Sequence, residues 1–323
     1  MKKVIAVDLG ATNLRVGLFE NSRPVADPVT FPTPRSPCNA MDITSILADR
    51  IRQVLRISGT TEIEGIGISA AGPVDHRNGS VVSPPNIPLA RIPLESPLKA
   101  EFGAPVRIIN DCHAGILGEV YFGDLSSEKN AVYLTMSTGI GAGIISGGKI
   151  LLGNRGNAGE VGHFFVDDRY NCTCGCGFPG HWEAYASGRF LPEFFTRWCA
   201  DNGIAPGWVR DMVPEQVFSL VRKNREKFEG FLEDLGLINA RGISNIVVAY
   251  EPAHMIMDGS VVRENTDLIL PFIGKYADRF LPLPSIDISG LGSSAPLLGA
   301  SIIASGYNTL IGNFLPEDCG RTG

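Results

Sequence analysis

The chain carries one short pattern twice: an apolar strand, a turn of small residues, then a second apolar strand. In the first copy Lys3 to Val7 and Leu14 to Phe19 flank a tight turn through Gly10, Ala11, Thr12 and Asn13, which reads as a hairpin. In the second, Ala131 to Met136 runs into "STGIGAG", and "IISGG" opens another strand. A repeated unit of this kind implies a duplicated α/β architecture, two lobes that share one sheet topology. No linker is long or polar enough to separate independent modules.

The rest of the chain fits around these two units. Pro24 to Pro37 carries five prolines and reads as a loop with extended pieces. Ile43, Ile46, Leu47, Ile51, Val54 and Leu55 keep helical spacing, with Asp42 placed to cap the helix and Ser58-Gly59 to stop it. Ile63, Ile66 and Ile68 lead into a strand that ends at "SAAGPVD", and Val106 to Ile109 is a short buried strand ending at Asn110-Asp111, before a helix over Ala114 to Tyr121. Gly153 to Gly180 is rich in Gly, Cys and His and has little periodicity. Glu183 to Cys199 and Glu229 to Tyr250 read as helices, "HMIMDGS" as a strand entering a Gly-Ser turn, and "SIDISGLGSSAPLLGASII" as strand, glycine-rich turn and helix.

Composition narrows the function. Of 323 residues 44% are apolar, enough for a sizeable core, and the net charge of −6 argues against nucleic acid as a partner. Seven cysteines in a chain of this length are not a disulfide scaffold. "MKKVIAV" is too short an apolar stretch for a signal peptide, and no segment approaches the roughly 20 apolar residues of a membrane helix. The expectation is a soluble, cytoplasmic, globular protein.

The two turns suit a phosphate, which needs several converging N–H donors and a backbone that can come close. Thr12 and Thr138 add hydroxyls, and Asp8 is placed to hold magnesium directly or through water. No G-x-x-x-x-G-K-[ST] run is present, and "GIGAG" leads into a strand, not a helix, so neither a P-loop nor a dinucleotide fingerprint is implied. Either turn alone reads first as an ordinary hairpin turn; two of matching form, one led by Asp8, shift the reading toward a phosphate clamp. Asp111, at the C-terminal end of a strand, is positioned either to take a proton from a substrate hydroxyl or simply to cap the next helix. Further on, Cys174, Cys176 and His181 follow His163 at short intervals that suit tetrahedral zinc, with Cys172 as a spare that can replace one ligand. A disulfide between near neighbours and chance clustering are the bland alternatives. Four protein ligands leave no open position, so such a site is structural.

Together these residues resemble the ROK family of sugar kinases and related repressors, which have a two-lobed actin/hexokinase-type ATPase fold of duplicated ribonuclease H-like domains. "DLGATNLR" matches that family's D-x-G-x-T-x-x-R phosphate motif at Asp8, Gly10, Thr12 and Arg15, with Asn13 inside it. "STGIGAG" looks like its second phosphate turn, with Thr138, Gly139 and Gly141. "ND" at Asn110-Asp111 matches the start of N-D-A-N, "EVGH" matches E-x-G-H, and "CGCGFPGHWE" follows C-x-C-G-x-x-G-C-x-E. "MDGS" and "GLGSSAPLLGA", at Gly259 and Gly292, fall where the adenosine-binding turns fall. Two departures stand out. His181 replaces the third zinc cysteine, which leaves a Cys2His2 set, and Cys112-His113 replaces Ala-Asn.

The resemblance implies a small lobe of residues 1–111 plus about 301–323, and a large lobe of about 112–300 with a zinc loop over 163–181. It implies a sugar site between the lobes, with Asn86, Asn110, Asp111, Glu160, His163 and Glu183 on the hydroxyls and the backbone at Ala71 and Gly72 beside them. His163 then gives one ring nitrogen to zinc and the other to sugar. The implied activity is phosphoryl transfer from Mg-ATP to the 6-hydroxyl of an aldohexose, most simply glucose, with Asp111 as general base. Fructose, mannose or N-acetylmannosamine are rival substrates. A sugar-responsive repressor is a rival class, disfavoured because Asp8 leaves no room before it for a helix-turn-helix. A non-catalytic sugar-binding module is the third reading. The partners implied are hexose and nucleotide, in a homodimer or dimer of dimers.

Overall fold

The structure is a computed structural model that describes residues 2–34, 39–84, 88–204 and 212–306. Along the chain the elements are β1 (Lys3–Leu9), β2 (Asn13–Glu20), β3 (Arg23–Pro24), β4 (Val29–Pro32), α1 (Ala40–Ile57), β5 (Gly65–Ala70), β6 (Val74–Asp75), β7 (Ser80–Val82), β8 (Arg91–Pro93), α2 (Glu95–Phe102), β9 (Val106–Asn110) and α3 (Asp111–Phe122). There follow β10 (Ala131–Met136), β11 (Ile140–Ser146), β12 (Lys149–Ile150), α4 (Glu183–Ala186), α5 (Leu191–Asp201), α6 (Pro214–Lys223), α7 (Arg225–Tyr250), β13 (His254–Asp258), α8 (Ser260–Arg263), α9 (Thr266–Tyr276), β14 (Ser285–Ile288) and α10 (Ala295–Ala304). Among the described residues no helix is long and apolar enough to cross a membrane.

Two compact units emerge. The first takes residues 1–129, 143–159 and 290–323; the second takes 130–142 and 160–289. In the first, β1 pairs antiparallel with β2 and parallel with β5, and β5 pairs parallel with β9. In the second, β10 neighbours β11 on one side and pairs parallel with β13 on the other, and β13 pairs parallel with β14. The layout of hairpin plus two parallel strands is therefore repeated, as the sequence repeat implies.

β1 is buried on both faces, which is why it reads as an unbroken apolar run. Its alternation decides which residue meets which layer. Ile5 and Val7 join Ile43, Leu47 and Ile51 of α1, while Val4 and Ala6 join Leu297, Ala300 and Ala304 of α10. Asn39, not Asp42, caps α1: the Asn39 side chain accepts from Asp42 N, and the Asp42 carboxylate accepts the Asn39 N–H in return. Both residues of a capping box are cap-forming types, so spacing alone selects the wrong one.

The first unit extends beyond the expected boundary at Asp111 because α3 packs on α10. A Cβ at Gly299 would lie 1.8 Å from Ala114 O, and one at Gly118 would lie 2.3 Å from Ala295 O. β5 meets α10 in the same way, through Gly67 beneath Ala300 O and Gly65 beneath Ala304 O. Residues 143–159 also fall in the first unit, where β12 pairs with the end of β11.

In the second unit the expected helix over Glu183 to Cys199 is two helices. Between them Gly188 N–H donates to Ser137 O (2.7 Å) and Arg189 N–H to Thr138 O (3.2 Å), so these amides leave the helical ladder. The core there is aromatic, with Phe194, Phe195, Phe228 and Phe231 buried together beside Trp198. α7 kinks at Phe228, next to the expected start at Glu229.

Because Gly299 faces backbone, which cannot rotate aside, Gly299→Ala should destabilise the protein by roughly 2–3 kcal/mol; denaturant unfolding monitored by circular dichroism measures it, and an unchanged midpoint would refute this packing.

Candidate active site

Three elements of the first unit build the first turn. Register places Asp8 opposite Arg15 on β2 and Ser69 on β5. Arg15 donates to Asp8 Oδ2 from Nη2 (2.5 Å) and Nε (3.1 Å), and Ser69 Oγ donates to Oδ1 (3.0 Å). A carboxylate 5% exposed at the end of an apolar strand needs such partners. Gly10 N–H closes the turn on Asn13 O (3.0 Å), and a Cβ at Gly10 would lie 2.9 Å from that oxygen. Thr33 clamps the turn from outside, with Oγ1 donating to Gly10 O (2.8 Å) and its N–H to Thr12 O (2.9 Å). Thr12 and Asn13 are left exposed at the tip. Arg15 Nη1 also donates to Ser293 Oγ (3.2 Å), which brings the Gly292 turn to the same place.

Asp111 begins α3 directly after β9. The cap of that helix is Asn110, whose Oδ1 accepts the Cys112 N–H (2.9 Å), so Asp111 is not needed as the cap. Its own Oδ1 accepts from the same N–H (2.9 Å) and lies 3.5 Å from Cys112 Sγ. Burial, and then the nearby charge of Asp8, push the Asp111 carboxyl up to about 6, against the pull of the Cys112 donors. Asn110 Nδ2 lies 3.5 Å from Gly72 O, and Ala71 N–H donates to Leu9 O, so the Ala71-Gly72 backbone adjoins the Asn110-Asp111 pair. Gly72 has φ +98°, a conformation that favours glycine. His113 is fully buried, and burial followed by the neighbouring His76 pushes its pKa down to about 4, so it packs as neutral imidazole. Asn86 lies outside the described residues.

In the second unit the glycine-rich turn is shorter than the sequence suggests. Ser137 N–H donates to Gly139 O (2.9 Å) and β11 starts at Ile140, so Gly141 sits in a strand. Glu183 Oε2 accepts the Ile140 N–H (3.1 Å). Gly259 follows β13 with φ +100°, where a Cβ would lie 2.3 Å from Met136 O. Beside it, buried Asp258 accepts from Tyr133 OH (2.8 Å).

The same unit gathers His163, Cys174, Cys176 and His181, with one ligand atom of each within 4.8 Å of the others. The two Nδ1 atoms are 3.2 Å apart, Cys176 Sγ is 3.3 Å from His181 Nδ1, and Cys174 Sγ is 4.0 Å from His163 Nδ1. Tetrahedral zinc at usual bond lengths requires about 3.3 Å between nitrogens and about 3.6 Å between nitrogen and sulfur. The donor set and its edges fit that ion. His163 turns Nδ1 into the cluster, which leaves Nε2 on the far side of the ring. Cys172 is outside the group, buried with Sγ 3.8 Å from Tyr170 O. Glu160 stands exposed three residues before His163, and its carbonyl accepts the His163 N–H.

Of the residues singled out in the sequence, the structure pairs Asp8 with Arg15 and brings His163, Cys174, Cys176 and His181 together. Sequence reasoning misses Ser69, Thr33 and Ser293, which act through strand register and long-range contact. Serine three residues past Ile66 on an apolar strand is a visible anomaly, yet its partner is not.

The ROK family's sequence pattern matches residues 4–306. A glucokinase of Pyrobaculum calidifontis is 31% identical over 306 residues, which cover 94% of this chain and 95% of that protein. The crystal structure of a ROK hexokinase from Thermus thermophilus is 31% identical with a TM-score of 0.78, covering 94% of this chain and 97% of the other. A ROK family glucokinase from Streptomyces griseus, solved in complex with glucose and AMPPNP, is 28% identical with a TM-score of 0.75, covering 94% and 99%. Repeated sheet units, paired glycine turns and near full-length similarity lead to one conclusion: this chain belongs to the ROK family and has its actin/hexokinase-type fold.

Proposed function

We propose that this chain is an ATP-dependent hexokinase, acting in the cytoplasm, that transfers the γ-phosphoryl group to the 6-hydroxyl of glucose or of aldohexoses more broadly. The observation that carries the reading is Asp111: a carboxyl at a strand end, with Oδ1 held by Cys112 and with its proton affinity raised toward neutrality. The glucokinase relative and the glucose–AMPPNP complex of the Streptomyces griseus protein support the substrate pair. A homodimer or dimer of dimers belongs to the same proposal.

Phosphoryl transfer demands positioning and charge neutralisation more than covalent chemistry. Oδ1 is engaged, so Oδ2 of Asp111 takes the proton of the hydroxyl as its oxygen attacks phosphorus and the bond to ADP breaks. In the first unit this reading assigns Thr12, Asn13 and the backbone of Gly10 to phosphate; in the second it assigns Thr138 and Gly139. Asp8, with Arg15 and Ser69 donating to its two oxygens, would hold the nucleotide's magnesium through water. Magnesium supplies charge neutralisation on the phosphates. Gly259 and Gly292 are assigned to adenosine. Asn110 and the Ala71-Gly72 backbone hold sugar hydroxyls, as do Glu160, Glu183 and His163 Nε2. His163, Cys174, Cys176 and His181 would hold a structural zinc, which would fix the His163 tautomer.

A panel of hexoses with Mg-ATP, read by coupled ADP release, tests the reaction; glucose should give hexose 6-phosphate, and no turnover with any hexose would end the reading. Asp111→Asn should lower turnover on the order of 10²–10⁴-fold while sugar still binds. Because the base must be unprotonated, kcat/KM should fall as pH drops through about 6, not about 4. Raised proton affinity also means that the ionised carboxylate costs the fold stability above that pH. Asp111→Asn should therefore be more stable at pH 7 by on the order of 2–3 kcal/mol, an advantage that fades as pH falls from about 6 to about 4. Urea unfolding at the two pH values measures it. Purified protein should carry about one zinc per chain, His181→Ala should lose it and Cys172→Ser should keep it, as read by metal analysis.

A further inference from the structure

We propose that Glu183 positions the second phosphate turn: by accepting the Ile140 N–H, its carboxylate holds the Thr138-Gly139 backbone in the form that meets the nucleotide. The inference rests on the kinase reading and adds a second task to a residue assigned there to sugar.

Several contacts, all inside the second unit, point this way. Glu183 Oε2 lies 3.1 Å from Ile140 N, and Oε1 lies 3.7 Å from Cys174 Sγ, so the two carboxylate oxygens look in different directions. Gly139 leaves the room for this reach, since a Cβ there would lie 2.7 Å from Oε2. The segment that carries Glu183 grips the turn twice more, through Gly188 N–H on Ser137 O and Arg189 N–H on Thr138 O. From the other side Gly162, one residue before His163, approaches Ile140 O so closely that a Cβ would lie 2.3 Å from it. Backbone elsewhere supplies most of this support. Glu183 is the side chain that reaches the amide at the turn's exit, and that reach depends on its length.

Two conservative variants separate reach from charge. Glu183→Gln keeps the length and an acceptor oxygen; Glu183→Asp keeps the charge and falls one methylene short of Ile140. Binding of AMPPNP with magnesium, without sugar, is measured by calorimetry on full-length protein whose metal content matches wild type. Glu183→Asp should weaken AMPPNP about fivefold or more, and Glu183→Gln should stay within about twofold of wild type. Wild-type affinity in Glu183→Asp, or equal loss in both variants, would overturn the assignment. Failure of wild type itself to bind AMPPNP would instead strike the kinase reading.

Discussion

α10 lies on β5 and α3 at a separation set by hydrogen atoms, not by side chains. Gly65, Gly67, Gly118 and Gly299 bring carbonyls of one element against α-carbons of another, and larger residues would force the layers apart. Much follows from that approach in the first unit. α10 covers the Val4 and Ala6 face of β1, which completes burial of the strand that ends in Asp8. The turn leading into α10 delivers Ser293 to Arg15. α3, pinned at Ala114 and Gly118, fixes the point where β9 ends and Asp111 begins.

Charge is handled differently at the two carboxylates of that unit. Asp8 is buried but saturated, with a guanidinium on one oxygen and a hydroxyl on the other. Asp111 receives only Cys112 donors on Oδ1 and also feels Asp8. Burial and the charge of Asp8 raise the proton affinity of Asp111. In the second unit order comes from other sources. The stretch from Gly153 to Gly180 has almost no regular structure, and the segment around the His/Cys cluster is held by Cys174, Gly177 and Gly180 amides on nearby carbonyls. The same segment gathers His163, Cys174, Cys176 and His181, a donor set that suits a tetrahedral ion.

Much of this was legible because the strands that matter are buried. Apolar runs at Lys3 to Val7, Val106 to Ile109 and Ala131 to Met136 mark strand centres, and polar residues at their ends mark the site. The repeat and the spacing of Cys174, Cys176 and His181 are local and survive translation into structure. What stayed hidden was relational. Ser69 matters only through its register with Asp8, and Ser293 only through a contact 278 residues away. Asn39 and Asp42 share one capping box, so residue type could not rank them. The break at Gly188 interrupts a continuous helical pattern because its amide is claimed by Ser137, which no window around Gly188 contains. The extent of the first unit escaped for the same reason: Gly118 and Gly299 read as small residues until each is seen beneath a carbonyl.

Glu183 sits on a short helix between the Cys174 thiol and a backbone amide of the glycine turn. A side chain held at both ends is a poor place for evolutionary tinkering. Any change of side-chain length at this position would therefore be felt at Ile140 and at Cys174 together.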